Sequence, residues 1–286
     1  MVQVGLPGGT PIEVEVSGAG PAVMLLVDPR PAEDERAEEL RRWGVDPQLG
    51  RTLCDALRDG FRVIAVPYEA HTLAHPRPDT LTPDAIAADL LAVADAIGVE
   101  RFACYGYSWL ALASLQLALR TDRLTALAMG GYPPLGGPYP EMLAVTVATH
   151  DLAVEAAGRT RRQAQATEDL DWETVEVTLT PAQTGQFVTL YRALEGFDDH
   201  VAAARVTCPR LCFAGAADRI EYSPRWGGVV VDIGGVLGRN EPRLRTDGWT
   251  VHLLDGLDHT QAMQPRHVLP VLHPWLSAVL AGEHHG

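Results

Sequence analysis

Three features of this chain predict an α/β architecture, a mostly parallel central sheet covered by helices on both faces. Ala22-Val23-Met24-Leu25-Leu26-Val27 and Phe61-Arg62-Val63-Ile64-Ala65-Val66 are continuous apolar runs of strand length, without the alternation of a half-exposed strand. Segments of helical spacing alternate with such runs, which is the order that parallel crossovers produce. A short glycine turn, Gly106-Tyr107-Ser108, joins one strand directly to one helix.

Taken in order, Val2 to Leu6 and Ile12 to Val16 flank the turn signal Pro7-Gly8-Gly9-Thr10-Pro11 and predict an N-terminal hairpin. The two apolar strands follow, separated by a mostly helical stretch from Asp34 to Arg58. Thr82 is placed to cap a helix in which Ile86, Leu90, Leu91, Val93, Ala94 and Ile97 recur at helical spacing, and Gly98 ends it. Arg101 to Tyr105 is the next strand. Trp109 to Leu119 contains no glycine or proline and predicts a helix, with Leu124 to Met129 as the strand after it. From Pro133 to about Ala204 the pattern becomes helical without a strong strand, which reads as an inserted cap. Its aromatics Trp172, Phe187 and Tyr191 serve either its interior or substrate contact. Strands return at Arg210 to Ala214 and Trp249 to Leu254, and a last helix covers about Pro270 to Ala281, ahead of a frayed tail at His284-His285. The predicted division is a core over 1–132, a helical cap over 133–204 and the rest of the core over 205–286.

Composition excludes several classes. With 47% hydrophobic residues the chain can bury a sizeable core, and no apolar run reaches the ~20 residues needed to span a bilayer. The net charge of −14 opposes a nucleic-acid surface, which needs clustered cations. All 23 basic residues are arginine, which removes Schiff-base lysines and a P-loop lysine. The N-terminus has no basic stretch leading into a long apolar core, so a cytoplasmic location is expected. Cys54, Cys104, Cys208 and Cys212 show no metal-like pairing with histidines and read as buried thiols. His267 and His273 do not cluster with other ligands, so no metal is expected; His71 and His75 read as exposed loop residues.

Gly-x-Ser alone occurs by chance about once in 200 residues. Context raises its weight, because a strand enters the motif, a helix leaves it, and two polar residues stand later at strand ends. Asp218 follows Ala214-Gly215-Ala216-Ala217, and His259 follows Gly256-Leu257-Asp258. With these residues the chain resembles the α/β-hydrolase family over nearly its whole length, including a mid-chain insertion similar to that family's cap. The family's order is nucleophile, acid, base. The resemblance implies Ser108 as nucleophile, His259 as general base and then acid, and Asp218 as the group that orients His259. It further implies backbone N–H donors for an oxyanion at Trp109 and at Arg30, which stands just behind Asp28-Pro29 where the family usually has His-Gly. Tyr107, Trp109 and Asp28 are expected to contact substrate.

Three departures from the pattern matter. Leu110 stands where the elbow usually has glycine, Asp28-Pro29 replaces a flexible loop start, and the Glu221 to Gly228 stretch, an extra loop, makes Asp232 the fallback acid. Asp255 and Asp258 read as turn formers. The expected activity is hydrolysis of an ester, thioester or related acyl compound through an acyl-serine, without cofactor, on a small-molecule substrate and with neither nucleic acid nor membrane as partner. Self-association is left open. The alternatives are carbon–carbon bond hydrolysis, lactone opening, perhydrolysis, cofactor-free chemistry in which His259 is the base and Ser108 forms no adduct, or a ligand-binding protein without turnover. Ser108 as a plain helix N-cap is the bland alternative.

Overall fold

The computed structural model describes residues 1–158 and 178–281, so the readings of Trp172 and of His284-His285 fall outside the described residues. The chain begins with the hairpin β1 (Val2–Gly5) and β2 (Pro11–Ser17), then β3 (Ala22–Leu25), α1 (Asp34–Arg42), α2 (Leu49–Leu57), β4 (Arg62–Ala65) and α3 (Tyr68–Ala74). It continues through α4 (Pro83–Ala96), β5 (Phe102–Tyr107), α5 (Trp109–Ala118) and β6 (Leu124–Gly130). Three helices precede the next strand: α6 (Tyr139–Gly158), α7 (Pro181–Arg192) and α8 (Asp199–Ala203). The remainder is β7 (Arg210–Gly215), β8 (Arg219–Glu221), β9 (Val230–Asp232), α9 (Ile233–Thr246), β10 (Trp249–Leu254), α10 (His259–Ala262) and α11 (Pro265–Leu280).

Eight strands form one sheet in the order β1-β2-β4-β3-β5-β6-β7-β10. From β4 to β10 every neighbouring pair is parallel, while β2 runs antiparallel to both β1 and β4. Alternate strand residues feed two cores, as a pleat with period two requires. Phe102 and Cys104 pack with α4, α5 and α9, whereas Ala103 and Tyr105 pack with α2 and α11. All are under 2% exposed, so the strands are covered on both faces.

The expected caps hold where they were specified: Thr82 Oγ1 accepts the Ala85 N–H at 3.2 Å, and Gly98 follows α4 with φ +68°. Four segments differ from the sequence reading. The last helix begins at Pro265, not near Pro270, and carries Pro270 and Pro274 inside it. Val268, Leu272, Leu276 and Leu280, spaced by four and at most 1% exposed, bury that helix on the sheet. Such burial is worth about 1.5–3 kcal/mol per side chain, enough to offset the roughly 3 kcal/mol an interior proline costs. The stretch after Asp218 is not a plain loop: β8 and β9 pair antiparallel around a 3-10 turn (Pro224–Trp226). Finally, α3 and α9 are helices the sequence reading did not separate from their surroundings.

Candidate active site

Ser108 leaves β5 with φ +57° and ψ −131°, a conformation that a residue with a Cβ adopts at a cost of about 1–3 kcal/mol. The turn is held from both sides. The Ser108 N–H donates to Gly130 O at 2.8 Å, and the Ser108 carbonyl accepts the Ala111 N–H at 2.9 Å. Its side chain makes no capping bond to α5, which removes the N-cap explanation for a serine here. The strain is tolerated because α5 lies against β5: a Cβ on Gly106 would stand 2.2 Å from the Leu110 carbonyl oxygen. Leu110, the departure at the glycine position of the elbow, contributes its backbone to that contact and is itself buried in the α4–α5 core.

His259 opens α10, behind a capping box in which Asp258 accepts the Gln261 N–H at 2.7 Å. Asp218 lies beyond β7, with its side chain fully buried. The two loops are tied together because Gly215 lets them touch: a Cβ there would stand 2.0 Å from Leu257 O, and the Ala217 N–H donates to that same carbonyl at 3.0 Å. His259 Nδ1 and Asp218 Oδ2 end 2.7 Å apart. A deprotonated carboxylate can only accept, so this contact sets the ring tautomer with the proton on Nδ1 and leaves Nε2 as the basic nitrogen. Asp218 Oδ1 has no hydrogen-bond partner among the described residues.

Tyr107 joins this pair to the serine turn. Its hydroxyl donates to His259 O at 2.8 Å, and the two rings are 5.1 Å apart. Burial, reinforced by the Asp218 charge, pushes the Tyr107 phenol up, so it stays a donor. The ring is packed over Gly130 and Gly131, where a Cβ would approach it to 2.5 and 2.6 Å. The expected substrate contact is thus a residue turned inward to hold the histidine's backbone. Sequence reasoning missed Gly130-Gly131; the only signal was a glycine pair at a strand end.

Trp109 is the first residue of α5, where a helix leaves its backbone N–H without an internal partner. Its indole N–H donates to Glu69 Oε1 at 2.7 Å, and its ring meets Tyr68 of α3 and Phe187 of α7 at 6.1 and 5.2 Å. Glu69 and Tyr68 are neighbours of the serine turn that the sequence reading did not single out. Tyr191 is buried, so it belongs to the interior of the helical segment. The contact between α7 and α3 is polar as well: Gln183 and Gln186 donate to Leu73 O and Thr72 O at 2.7 and 3.1 Å, capping the carbonyls of the last turn of α3.

The second expected oxyanion donor is not free. The Arg30 N–H donates to Asp28 Oδ1 at 3.0 Å, and the guanidinium grips the same carboxylate, Nε to Oδ1 at 3.0 Å and Nη2 to Oδ2 at 2.9 Å. An aspartate two residues before an N–H commonly closes this kind of turn. Asp28 is thus engaged by Arg30 through both carboxylate oxygens. The loop is clamped from above, since a Cβ on Gly50 of α2 would stand 1.9 Å from Asp28 O.

The remaining candidates have structural partners. Asp232, the fallback acid, caps α9 through the Gly235 N–H at 3.0 Å and pairs with Arg239. His71 and His75 lie in and behind α3 with rings 5.1 Å apart, and burial followed by the charges of His75 and Arg77 lowers His71. His273 meets Phe61 edge-on, and His267 accepts from Arg266. All four cysteines are free, and burial holds Cys54 and Cys104 at about 12, so neither is a thiolate nucleophile. Among the described residues no group of three or more His, Cys, Asp or Glu is placed to hold a metal, and no helix is long and apolar enough to cross a membrane.

No protein-family profile and no curated protein sequence matches the chain. Solved structures do. A carboxylesterase of the thaumarchaeon Nitrososphaera gargenis superposes with a TM-score of 0.61 at 16% identity, covering 97% of this chain and 98% of the other. A thermophilic esterase from Thermogutta terrifontis gives 0.58 at 18%, covering 98% of both chains. Epoxide hydrolase A from Mycobacterium thermoresistibile gives 0.58 at 22%, covering 96% and 97%. Alpha/beta hydrolases from hot-environment metagenomes and from Sphaerobacter thermophilus superpose over at least 96% of each chain. At such identities the likeness establishes architecture, and with the strand order and the turn at Ser108 it leads to one statement: this chain has the α/β-hydrolase fold.

Proposed function

We propose that this protein is a serine hydrolase that cleaves an ester, thioester or related acyl compound through an acyl-serine. The observation that carries the reading is the buried Asp218 carboxylate 2.7 Å from His259 Nδ1, in a histidine whose carbonyl is held by the residue preceding Ser108. In this reading His259 Nε2 takes the Ser108 proton as Oγ attacks the acyl carbon, and returns it to the departing alcohol or thiol. Asp218 fixes the ring and steadies the imidazolium. Water then repeats the attack on the acyl-serine and frees the acid. The Trp109 N–H is one donor for the oxyanion, and the helices over 133–204 form the cap, with Phe187 against Trp109. Similarity to proteins described as esterases supports this reading. A serine where epoxide hydrolases attack with a carboxylate argues for acyl chemistry.

The test is rapid-mixing kinetics with p-nitrophenyl esters of increasing acyl length. A burst stoichiometric with enzyme, lost in Ser108→Ala, is expected; a linear time course that Ser108→Ala leaves unchanged contradicts the reading.

The engaged Arg30 N–H favours a second reading, in which His259 acts as a base on a bound ligand and no adduct forms on Ser108. Asp28→Ala tests whether that N–H serves the oxyanion. Under the acyl-serine reading it releases the Arg30 N–H as a second donor, and one well-aimed donor is worth about 10²–10³ in rate. Ester turnover is expected to rise tenfold or more; no rise places the Arg30 N–H outside the oxyanion hole.

A further inference from the structure

Tyr68, whose ring meets Trp109, is bonded to a buried ion pair that the chemistry at Ser108 does not use. Asp89 of α4 is 0% exposed. Its Oδ2 accepts from the Arg77 guanidinium at 2.5 Å and from the Tyr68 hydroxyl at 2.7 Å, and the same guanidinium nitrogen donates to that hydroxyl at 3.0 Å. The guanidinium also rests on the N-terminal hairpin, where a Cβ on Gly8 would stand 3.0 Å from Nη1. Taking two charges out of water costs about as much as their attraction returns. What such a pair supplies is a fixed position for the chain that carries it.

That chain is the seat of α7. Arg77 belongs to the segment 72–78, the end of α3 and the loop after it, and α7 rests on the backbone of this segment. Gln183 and Gln186 donate to Leu73 O and Thr72 O, Thr189 Oγ1 donates to Pro78 O, and the Arg77 N–H donates back to Gln186 Oε1 at 3.2 Å. Gln186 is 0% exposed, so no water competes for those bonds. Pro76 and Pro78 flank Arg77 and bring no backbone donors, and the Arg77 side chain ties this stretch to α4. One position beyond Gln186 stands Phe187, whose ring meets Trp109 at 5.2 Å. Direct contacts thus run from Asp89 through Arg77 and Gln186 to the helix that sets a ring against the residue after Ser108.

We infer that Arg77, held by Asp89, is a positioning residue that seats α7 and so places Phe187 against Trp109, setting which acyl groups reach Ser108. The seating stands on the bonds above; its consequence for acyl groups rests on the acyl-serine reading. Hydrogen exchange on the full chain tests the seating without any turnover. Arg77→Gln combined with Asp89→Asn removes both charges, so no unpaired charge is buried, and Gln186→Leu keeps the ion pair but cuts its link to α7. In each, amides of α7 are expected to exchange at least tenfold faster, with those of β5 and β6 within twofold of wild type. Gln186→Leu decides the matter if the charge-free variant does not fold. The consequence is read as the ratio of kcat/KM for p-nitrophenyl octanoate to that for p-nitrophenyl acetate. This ratio is expected to shift at least fivefold, in one direction, in both variants and in Phe187→Ala. Adding Phe187→Ala to the charge-free variant is expected to move it less than twofold further, because both act through one ring. Unchanged exchange in α7, a rise shared equally by the sheet, or an unaltered ratio overturns the inference. A wild type without ester turnover instead contradicts the acyl-serine reading, and exchange in α7 then decides the seating alone.

Discussion

Asp218→Asn is expected to lower ester turnover about 10⁴-fold while leaving the fold intact. The carboxylate is fully buried and, among the described residues, its one side-chain partner is His259 Nδ1 at 2.7 Å. An asparagine has the same shape but two bad choices. With its amide nitrogen toward the ring it forces the proton onto Nε2, and His259 can no longer accept from Ser108. With its oxygen toward the ring the tautomer survives, but the imidazolium loses its counter-charge and a buried NH₂ is left where Oδ1 already has no partner. The equivalent change in a serine-protease triad lowers turnover by about that factor. Nearby carboxylates do not substitute, because Asp232 and Asp258 both cap helices. Steady-state kinetics with circular dichroism on the same preparations check this; a fall of less than tenfold means that Asp218 does not serve the reaction.

Gly106→Ala is expected to destabilise the protein by about 3 kcal/mol, at the upper end of the range for overpacked cores. The new methyl would lie 2.2 Å from Leu110 O and 2.7 Å from Ser114 Oγ, atoms of the first turns of α5. The contact with Leu110 is to backbone, so no rotamer relieves it; α5 must move off β5, and with it the turn that holds Ser108 in its strained conformation. Urea unfolding of the variant measures the loss, and a change below about 1 kcal/mol would show that the helix is less closely seated than the geometry states. Reactivity at Ser108 is expected to fall alongside stability.

Much of this was legible in the chain. Runs such as Ala22 to Val27 are apolar on both faces because both are covered, and that is visible without coordinates. The pairing of Asp218 with His259 was implied by the resemblance to the α/β-hydrolase family, carried by two polar residues standing at successive strand ends. What escaped was chemistry that depends on which neighbour a side chain faces. Leu110 read as an obstacle at the elbow, yet the tight contact there involves its carbonyl, and the space it needs is given by Gly106. Tyr107 and Arg30 were assigned outward roles from their positions in the motif. One is turned onto His259 O, and the other is bonded to an aspartate only two residues away. A local turn of that kind competes for the same N–H that an oxyanion would use. The proline-bearing helix α11 was shortened in the reading because local rules stop helices at proline, whereas a four-residue apolar repeat buried on the sheet overrides them.

The measurement that bears most directly on the account is the intact mass of the protein after exposure to a fluorophosphonate, for wild type and Ser108→Ala side by side. An activated serine attacks the phosphorus, expels fluoride and keeps the phosphonyl group. One such adduct per wild-type chain, mapped to Ser108 and missing from Ser108→Ala, is the predicted result. An unmodified wild type, or an adduct that persists in Ser108→Ala, would contradict it.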